Sequence, residues 1–326
     1  MTSREKWGAY GAFAAVCFFW GTTYLAIRVG LEGFPPMLLA GLRFSLAGAV
    51  LFWVMWRQQG ARLPSGREWL DITVVALALL VVGNGAVVWA EQWISSGTAA
   101  LLVATSPFWV ASLERVLPGG ERVGWRKLAG MLVGFAGLAL LLRPELLGVS
   151  LGWQYVLGVL AIQLGCGSWS AGSIYGKQRP TGVKPLMSAA LQMLVAGGVL
   201  TLLGTGLGEW GAVRPTGRSA GAVLYLIVFG SVVAYGSYTY AVQKLPLSLV
   251  TTYSYINPVI AVLLGWLLLG EPLNWRVGAA TAVILLGVAM VNTSPRQILS
   301  ALKWRPRARR DGRKSRAEVG GAYATD

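Results

Sequence analysis

Long apolar runs without a single charge recur along this chain, and they dictate its fold more than any other feature. A bilayer span needs about 20 mostly apolar residues. Uncharged runs of that kind occur at 8–27, 72–90, 92–113, 146–176, 185–208, 219–243, 245–270 and 277–295. Met37–Trp56 is a ninth, interrupted only by Arg43, and Leu128–Leu142 is a short tenth that can extend at either end. Backbone N–H and C=O groups in lipid must be satisfied within the segment, so such runs are helices. The expected fold is therefore all-α and integral to the membrane, with ten transmembrane helices. The first run follows Arg4 and Lys6 but has no small-residue cleavage site before Arg28, so it reads as a span and not a signal peptide.

Composition then removes whole classes of chemistry. Only 13% of residues are charged, against about 25% in a soluble chain. Histidine is absent, which excludes Ser-His-Asp and Cys-His catalysis and histidine-ligated zinc. The two cysteines, Cys17 and Cys166, lie in apolar runs and make no disulfide scaffold. No Walker sequence supplies an ATPase, and no cofactor or metal is expected. The chain reads as a non-enzyme.

Short turns such as Gly33-Phe34-Pro35-Pro36 and Pro118-Gly119-Gly120 leave no room for a second soluble domain. Lys and Arg concentrate on the cytoplasmic side of membrane proteins. With the N-terminus inside, only Arg28, Arg143, Arg214, Arg218 and Arg276 fall outside, Arg43 lies within a span, and every other Lys and Arg is inside. Both termini are thus expected in the cytoplasm of a cell with the chain in its plasma (inner) membrane. The net charge of +15 comes largely from this bias and from the run Lys303 to Arg316. That run suits anionic lipid, at about 1 kcal/mol per basic residue near the surface. Nucleic acid is not an expected partner.

The chain also repeats itself. Met37–Leu51 aligns with Met187–Leu200, with Ala40/Ala189, Leu42/Leu191, Ala47/Ala196 and Gly48/Gly197 identical and Arg43 falling on Gln192. At a similar spacing of about 150 residues, Cys17 and Trp20 fall on Cys166 and Trp169, and Gly85, Gln92 and Pro107 on Gly236, Gln243 and Pro258. Glu121 through Trp125-Arg126 falls on Glu271 through Trp275-Arg276. Five spans per copy is an odd number, so the second copy must enter the membrane from the other side. Inverted repeats of this kind are the architecture of secondary transporters, with cargo bound between the halves. The expected organisation is a cytoplasmic segment 1–7, a first repeat 8–143, a second repeat 146–295, and a basic, disordered cytoplasmic tail 296–326.

Trp20-Gly21-Thr22-Thr23-Tyr24, Arg43-Phe44, Thr105-Ser106-Pro107…Glu121 and Ile256-Asn257-Pro258…Gly270-Glu271-Pro272 together resemble the drug/metabolite transporter superfamily, EamA family. The resemblance covers residues 8–294. It implies ten spans in two EamA repeats and export of metabolites, amino acids or amphipathic drugs. It names no cargo. A carrier of sugars or of phosphorylated or nucleotide-linked solutes is the alternative within transport, and a membrane-embedded lipid enzyme the alternative outside it.

A cavity between the halves needs polar and aromatic residues with no reason to face lipid. The candidates are Trp20, Tyr24, Asn84, Ser106 and Trp109 in the first repeat, and Gln163, Trp169, Tyr235, Tyr238, Tyr253, Tyr255 and Asn257 in the second. Aromatic walls with a few amides suit a small organic solute; the same residues also serve as interfacial anchors or helix cross-links. Arg43 is the one charge inside a span, either a contact for a substrate carboxylate or phosphate, or a gate or tie to Glu32, Glu91 or free carbonyls. Glu91 is the best-placed acid for proton coupling. Pro107 and Pro258 are candidate hinges, since each removes a backbone donor. Glu121 and Glu271 read as caps of the helices that follow them, near Trp125 and Trp275. Gly130-x-x-x-Gly134 can pack within the bundle or pair two protomers in a homodimer.

Overall fold

A computed structural model describes residues 3–58, 62–116, 124–147, 152–250, 252–271, 273 and 275–292. All of these up to Asn292 fall in one compact unit. The basic tail and Glu121 lie outside the described residues.

The elements are α1 (Ser3–Gly30), α2 (Pro36–Trp56), α3 (Arg67–Ala90), α4 (Ser96–Val103), α5 (Ser106–Val116), α6 (Trp125–Leu147), α7 (Trp153–Gln178), α8 (Pro185–Gly206), α9 (Gly217–Lys244), α10 (Leu247–Val250), α11 (Tyr253–Leu269) and α12 (Trp275–Asn292). No strand occurs among the described residues. Seven helical segments are long and apolar enough to cross a membrane, and Leu128–Gly137, Ile256–Leu269 and Gly278–Gly287 are shorter apolar helices beside them. This is an all-helical, multi-pass membrane protein. Large apolar side chains such as Leu132, Leu160, Leu164 and Leu267 point outward, as they must in lipid.

Local chemistry sets the boundaries. Pro36 and Pro185 open α2 and α8 in the first turn, where a missing N–H costs nothing. Ser95 caps α4 by accepting from Thr98 N, and Thr216 with Ser219 forms a capping box on α9. The run 245–270 is not one helix. Leu245 precedes Pro246 and is held extended, so the chain makes a short turn at α10 before α11 begins at Tyr253.

Two helix pairs form the tightest contacts, and glycine explains both. Where α2 crosses α8, a Cβ on Gly48 would lie 2.8 Å from Leu194 N, and one on Gly41 2.6 Å from Thr201 N. Where α6 meets α12, a Cβ on Gly137 would lie 2.8 Å from Ile284 N and one on Gly287 2.6 Å from the Gly130 carbonyl. Helices in lipid gain little from burying apolar surface, so close van der Waals approach at small residues carries the association. The Gly130/Gly134 pattern is therefore used inside the chain, against α12.

Polar ties show which helix ends lie together. At one end Glu209 accepts from Met37 N (3.3 Å) and Leu38 N (2.8 Å), at the start of α2. Glu271 accepts from Ser96 N (2.8 Å), Ser96 Oγ (2.8 Å) and Gly97 N (3.1 Å), at the start of α4. Arg28 donates to the carbonyls of Glu91 and Gln92 at the end of α3. At the opposite end Glu68 accepts from Gly182 N (2.7 Å), Lys177 donates to the Leu245 carbonyl (3.1 Å), and Lys244 pairs with Glu5 at 3.7 Å. The helices thus alternate in direction between a Glu91 end and a Glu68 end.

Glu271 corrects an expectation. It does not cap the helix at Trp275. Gly270 ends α11 at φ 65, a left-handed turn that folds the carboxylate back over α4 instead. There it satisfies two N–H groups that no intrahelical partner can reach.

Candidate functional site

A cavity of about 60 Å³ lies in the body of the bundle. Helical spacing builds it. Trp20, Thr23, Tyr24 and Ile27 follow one face of α1; Gly83, Asn84 and Val87 come from α3; Gly165, Cys166 and Trp169 from α7; Tyr253 and Asn257 from α11. Arg43 of α2, Val103 of α4 and Ser106 of α5 complete the wall.

A larger space of about 320 Å³ opens among residues nearer the Glu68 end. Its wall includes Asp71, Ser173, Lys177, Arg179, Ser188, Gln192, Tyr235, Tyr238, Thr239 and Gln243. Asp71 accepts from Tyr175 Oη at 2.5 Å. Tyr235 Oη donates to Gln192 Oε1, and Gln192 Nε2 donates to Ser188 Oγ at 3.0 Å.

Aromatic rings fill the region between the two spaces. Trp169 Nε1 donates to Tyr238 Oη at 3.2 Å, and Ser173 Oγ and Tyr238 Oη share a hydrogen bond of 2.7 Å. Trp20 touches Trp169, Tyr238 and Tyr253, with ring centroids 5.4, 5.0 and 5.0 Å away. Such edge and tilted contacts are each worth about 0.5–1.5 kcal/mol beyond burial. Trp20 and Trp169, which align in the sequence repeat, meet face to edge here.

Both α3 and α9 loosen to a π-helix just before the site, over Leu77–Asn84 and Leu226–Val233. A π-turn frees carbonyls and often marks function. The Gly230 carbonyl accepts from Trp20 Nε1 at 3.2 Å, and a Cβ on Gly230 would sit 2.8 Å from Thr23 Cγ2 and 3.1 Å from Arg43 Nη2. Gly83 approaches Trp169 in the same way, its added Cβ 3.0 Å from the indole. The glycines let α1, α2 and α7 close on these turns.

The charges are few and poorly partnered. Arg43 is 2% exposed; Nε donates to Ser231 Oγ at 2.7 Å, and the guanidinium lies 4.8 Å from the Phe44 ring. Arg43 Nη1, Asn84 Oδ1 and both Glu91 oxygens are buried with no hydrogen-bond partner in the protein. Glu91 is fully buried but lines neither space. Glu32 is not a partner of Arg43: it pairs with Arg218 at 3.7 Å on the surface. Among the described residues no cluster of His, Cys, Asp or Glu could hold a metal.

The sequence-derived candidates thus divide. Trp20, Tyr24, Asn84, Ser106, Trp169, Tyr253 and Asn257 line the smaller cavity together with Arg43. Tyr235 and Tyr238 line the larger. Trp109 and Gln163 line neither. Trp109 Nε1 and Thr105 Oγ1 both donate to Gln163 Oε1, at 3.1 and 3.0 Å, and Gln163 Nε2 donates to the Leu102 carbonyl at 3.3 Å. The side chain of Tyr255 lies outside the described residues. Asn257, with its amide nitrogen facing the acceptors around it, donates to the carbonyls of Cys17 (2.9 Å) and Tyr253 (3.1 Å).

Pro107 does not kink a continuous helix. It stands in the first turn of α5, after a break at Ala104-Thr105. Carbonyls at the break accept from side chains, Leu102 from Thr105 Oγ1 at 2.7 Å and Val103 from Ser106 Oγ at 2.6 Å. Pro258 is buried inside α11. Thr23, Val87 and Gly165 were not singled out from sequence. Their signal is position alone, three to four residues from Trp20, Asn84 and Trp169 along a helix.

The profile of the EamA-like transporter family matches the chain twice, over residues 6–143 and 156–293. The chain belongs to the EamA-like transporter family. Among curated EamA relatives, the "Uncharacterized inner membrane transporter YedA" of Escherichia coli K12 is 37% identical over 294 residues, 89% of this chain and 92% of that protein. The "WAT1-related protein At3g02690, chloroplastic" of Arabidopsis thaliana is 28% identical, covering 84% of this chain and 67% of that one. A solved crystal structure superposes with a TM-score of 0.65 at 23% identity, covering 90% of this chain and 98% of the other, which shows the fold alone. This EamA protein is a membrane transporter.

Proposed function

We propose that this EamA protein is a secondary carrier that exports small organic solutes, amino acids or amphipathic drugs, across the inner membrane by alternating access. Two five-helix repeats of opposite orientation make up its ten spans, three of them the shorter apolar helices. They rock about the cavity between them. One observation carries this reading: residues that align between the repeats converge on a single cavity. Trp20 and Trp169 line it from α1 and α7, and Ser106 and Asn257 from α5 and α11. The packing of α2 on α8 and of α6 on α12, each helix against its repeat counterpart, supports the same pseudo-symmetry.

With the N-terminus in the cytoplasm, the larger space opens inward and the Trp169–Tyr238 contact closes the way to the central cavity. Cargo enters from the cytoplasm through the space beside Gln192, passes the aromatic barrier when Tyr238 releases Trp169, and leaves past Asn84 when the Glu91 end opens. The polar ties at that end, Glu271 to Ser96 and Glu209 to Leu38, hold it shut in this state.

Counterflow in proteoliposomes tests the reading, with purified protein and a labelled panel of neutral and aromatic amino acids and amphipathic amines. Accumulation of a panel member against its own gradient is expected. No accumulation of any member by folded protein would refute it.

A further inference from the structure

The carrier reading leaves the cargo open, and one corner of the cavity narrows it. A guanidinium carries five N–H donors, and inside apolar surroundings they are normally all engaged. In Arg43, buried at 2% exposure, Nε is held by Ser231 at 2.7 Å while Nη1 has no partner. No carboxylate pairs with it among the described residues. Asn84 lines the same cavity, and its Oδ1 is buried and equally without a donor. An unmade donor and an unmade acceptor thus belong to two residues that line one cavity. Among the described residues Arg43 is the one cation lining it. The fold has no general need for this arrangement. The aligned position in the other repeat is Gln192, whose amide oxygen and nitrogen are both engaged.

We propose that Arg43 Nη1 and Asn84 Oδ1 form a head-group site that takes a small solute bearing a carboxylate and, beside it, an N–H or O–H donor. The proposal rests on the carrier reading above and names its substrate class. The carboxylate accepts from Nη1, with Ser231 keeping the guanidinium in place. The neighbouring donor turns to Asn84. A cavity of about 60 Å³ matches a head group in size. A phosphate dianion calls for more than the single cation present.

Tryptophan fluorescence of the purified full-length protein reads occupancy, since Trp20 and Trp169 line the cavity. The probes are leucine and phenylalanine, their primary amides, which lack the carboxylate, their des-amino acids isocaproate and hydrocinnamate, which lack the donor, and inorganic phosphate. Each amino acid is expected to bind about 10- to 100-fold more tightly than its amide, the range for a hydrogen bond to a charged group. Arg43→Gln should bring that ratio close to one without weakening the amide. Asn84→Leu should lower the amino acid about 10-fold against its des-amino acid. Arg43→Lys, which keeps the charge but loses the fork, covers the case in which the glutamine variant fails to fold; it should lose most of the ratio.

Equal binding of acid and amide by the wild-type protein overturns the proposal. So does an Arg43→Gln variant that loses both alike, as a purely structural arginine would, and so does phosphate competing as well as the amino acids. Counterflow of amines without any preference for carboxylates overturns the head-group site and leaves the carrier standing. Binding of the acids with no counterflow of any solute does the reverse.

Discussion

Arg43 and Gln192 occupy matching places on α2 and α8, yet their surroundings are opposite. Gln192 is satisfied: Tyr235 donates to its oxygen, its nitrogen donates to Ser188, and the group lines the larger space. Arg43 is anchored at one nitrogen by Ser231, unpartnered at another, and lines the smaller cavity. The scaffold around both is shared, since the same crossing of α2 on α8 carries them. The difference teaches that repetition supplies the frame while departures from it supply the chemistry.

The largest effect is expected from breaking the shared frame. A Cβ on Gly197 collides with the Ser45 backbone, so Gly197→Ala should destabilise the protein by about 1–3 kcal/mol and disturb both sites together. Thermal unfolding followed by size-exclusion chromatography checks this; an unchanged midpoint would mean that the crossing is looser than described. Next comes the satisfied side of the comparison. Gln192→Leu strands the buried Tyr235 hydroxyl and should cost about 1–3 kcal/mol. Arg43→Leu removes a buried charge that no carboxylate pairs with among the described residues, and should cost less than Gln192→Leu, or stabilise, while abolishing transport. Measuring both variants by denaturation in the same detergent sharpens the contrast, and the reverse order would erase it.

A smaller loss, about 1 kcal/mol, is expected for Glu271→Gln, which weakens the cap on α4 while keeping one acceptor. Hydrogen exchange at Ser96 and Gly97 should report it locally. The smallest change is expected from Tyr238→Phe, which keeps the ring contacts and deletes the hydroxyl that meets Trp169 Nε1 and Ser173 Oγ. It should cost under about 1 kcal/mol but loosen the barrier, read as faster labelling of a cysteine in the central cavity.

Much of the fold was legible because lipid imposes its rule on composition: an uncharged run about 20 residues long has one way to satisfy its backbone. The contacting tryptophans were legible too, since Trp20 and Trp169 stood at matching places in the repeat. What sequence did not disclose depends on partners distant along the chain. Glu271 caps a helix 175 residues before it, and nothing near Trp275 signals that the carboxylate turns away. Glu209, reaching back to Leu38, went unnoticed for the same reason. Trp109 and Gln163 looked like cavity residues, but their bond to each other depends on how α5 and α7 pack. The π-turns before Asn84 and Tyr235 leave no composition mark beyond Gly83 and Gly230.

The central claim is that the two repeats open one cavity to each side in turn. Reciprocal accessibility tests it most directly. With Cys17 and Cys166 replaced by alanine, one cysteine is placed at Thr239, in the wall of the larger space, and in a second protein at Val87, in the cavity wall on α3. Each is labelled from both sides of the membrane with and without cargo. The account predicts that conditions raising reactivity at Val87 from outside lower it at Thr239 from inside. Reactivities that rise and fall together, or that ignore cargo at both positions, would contradict it.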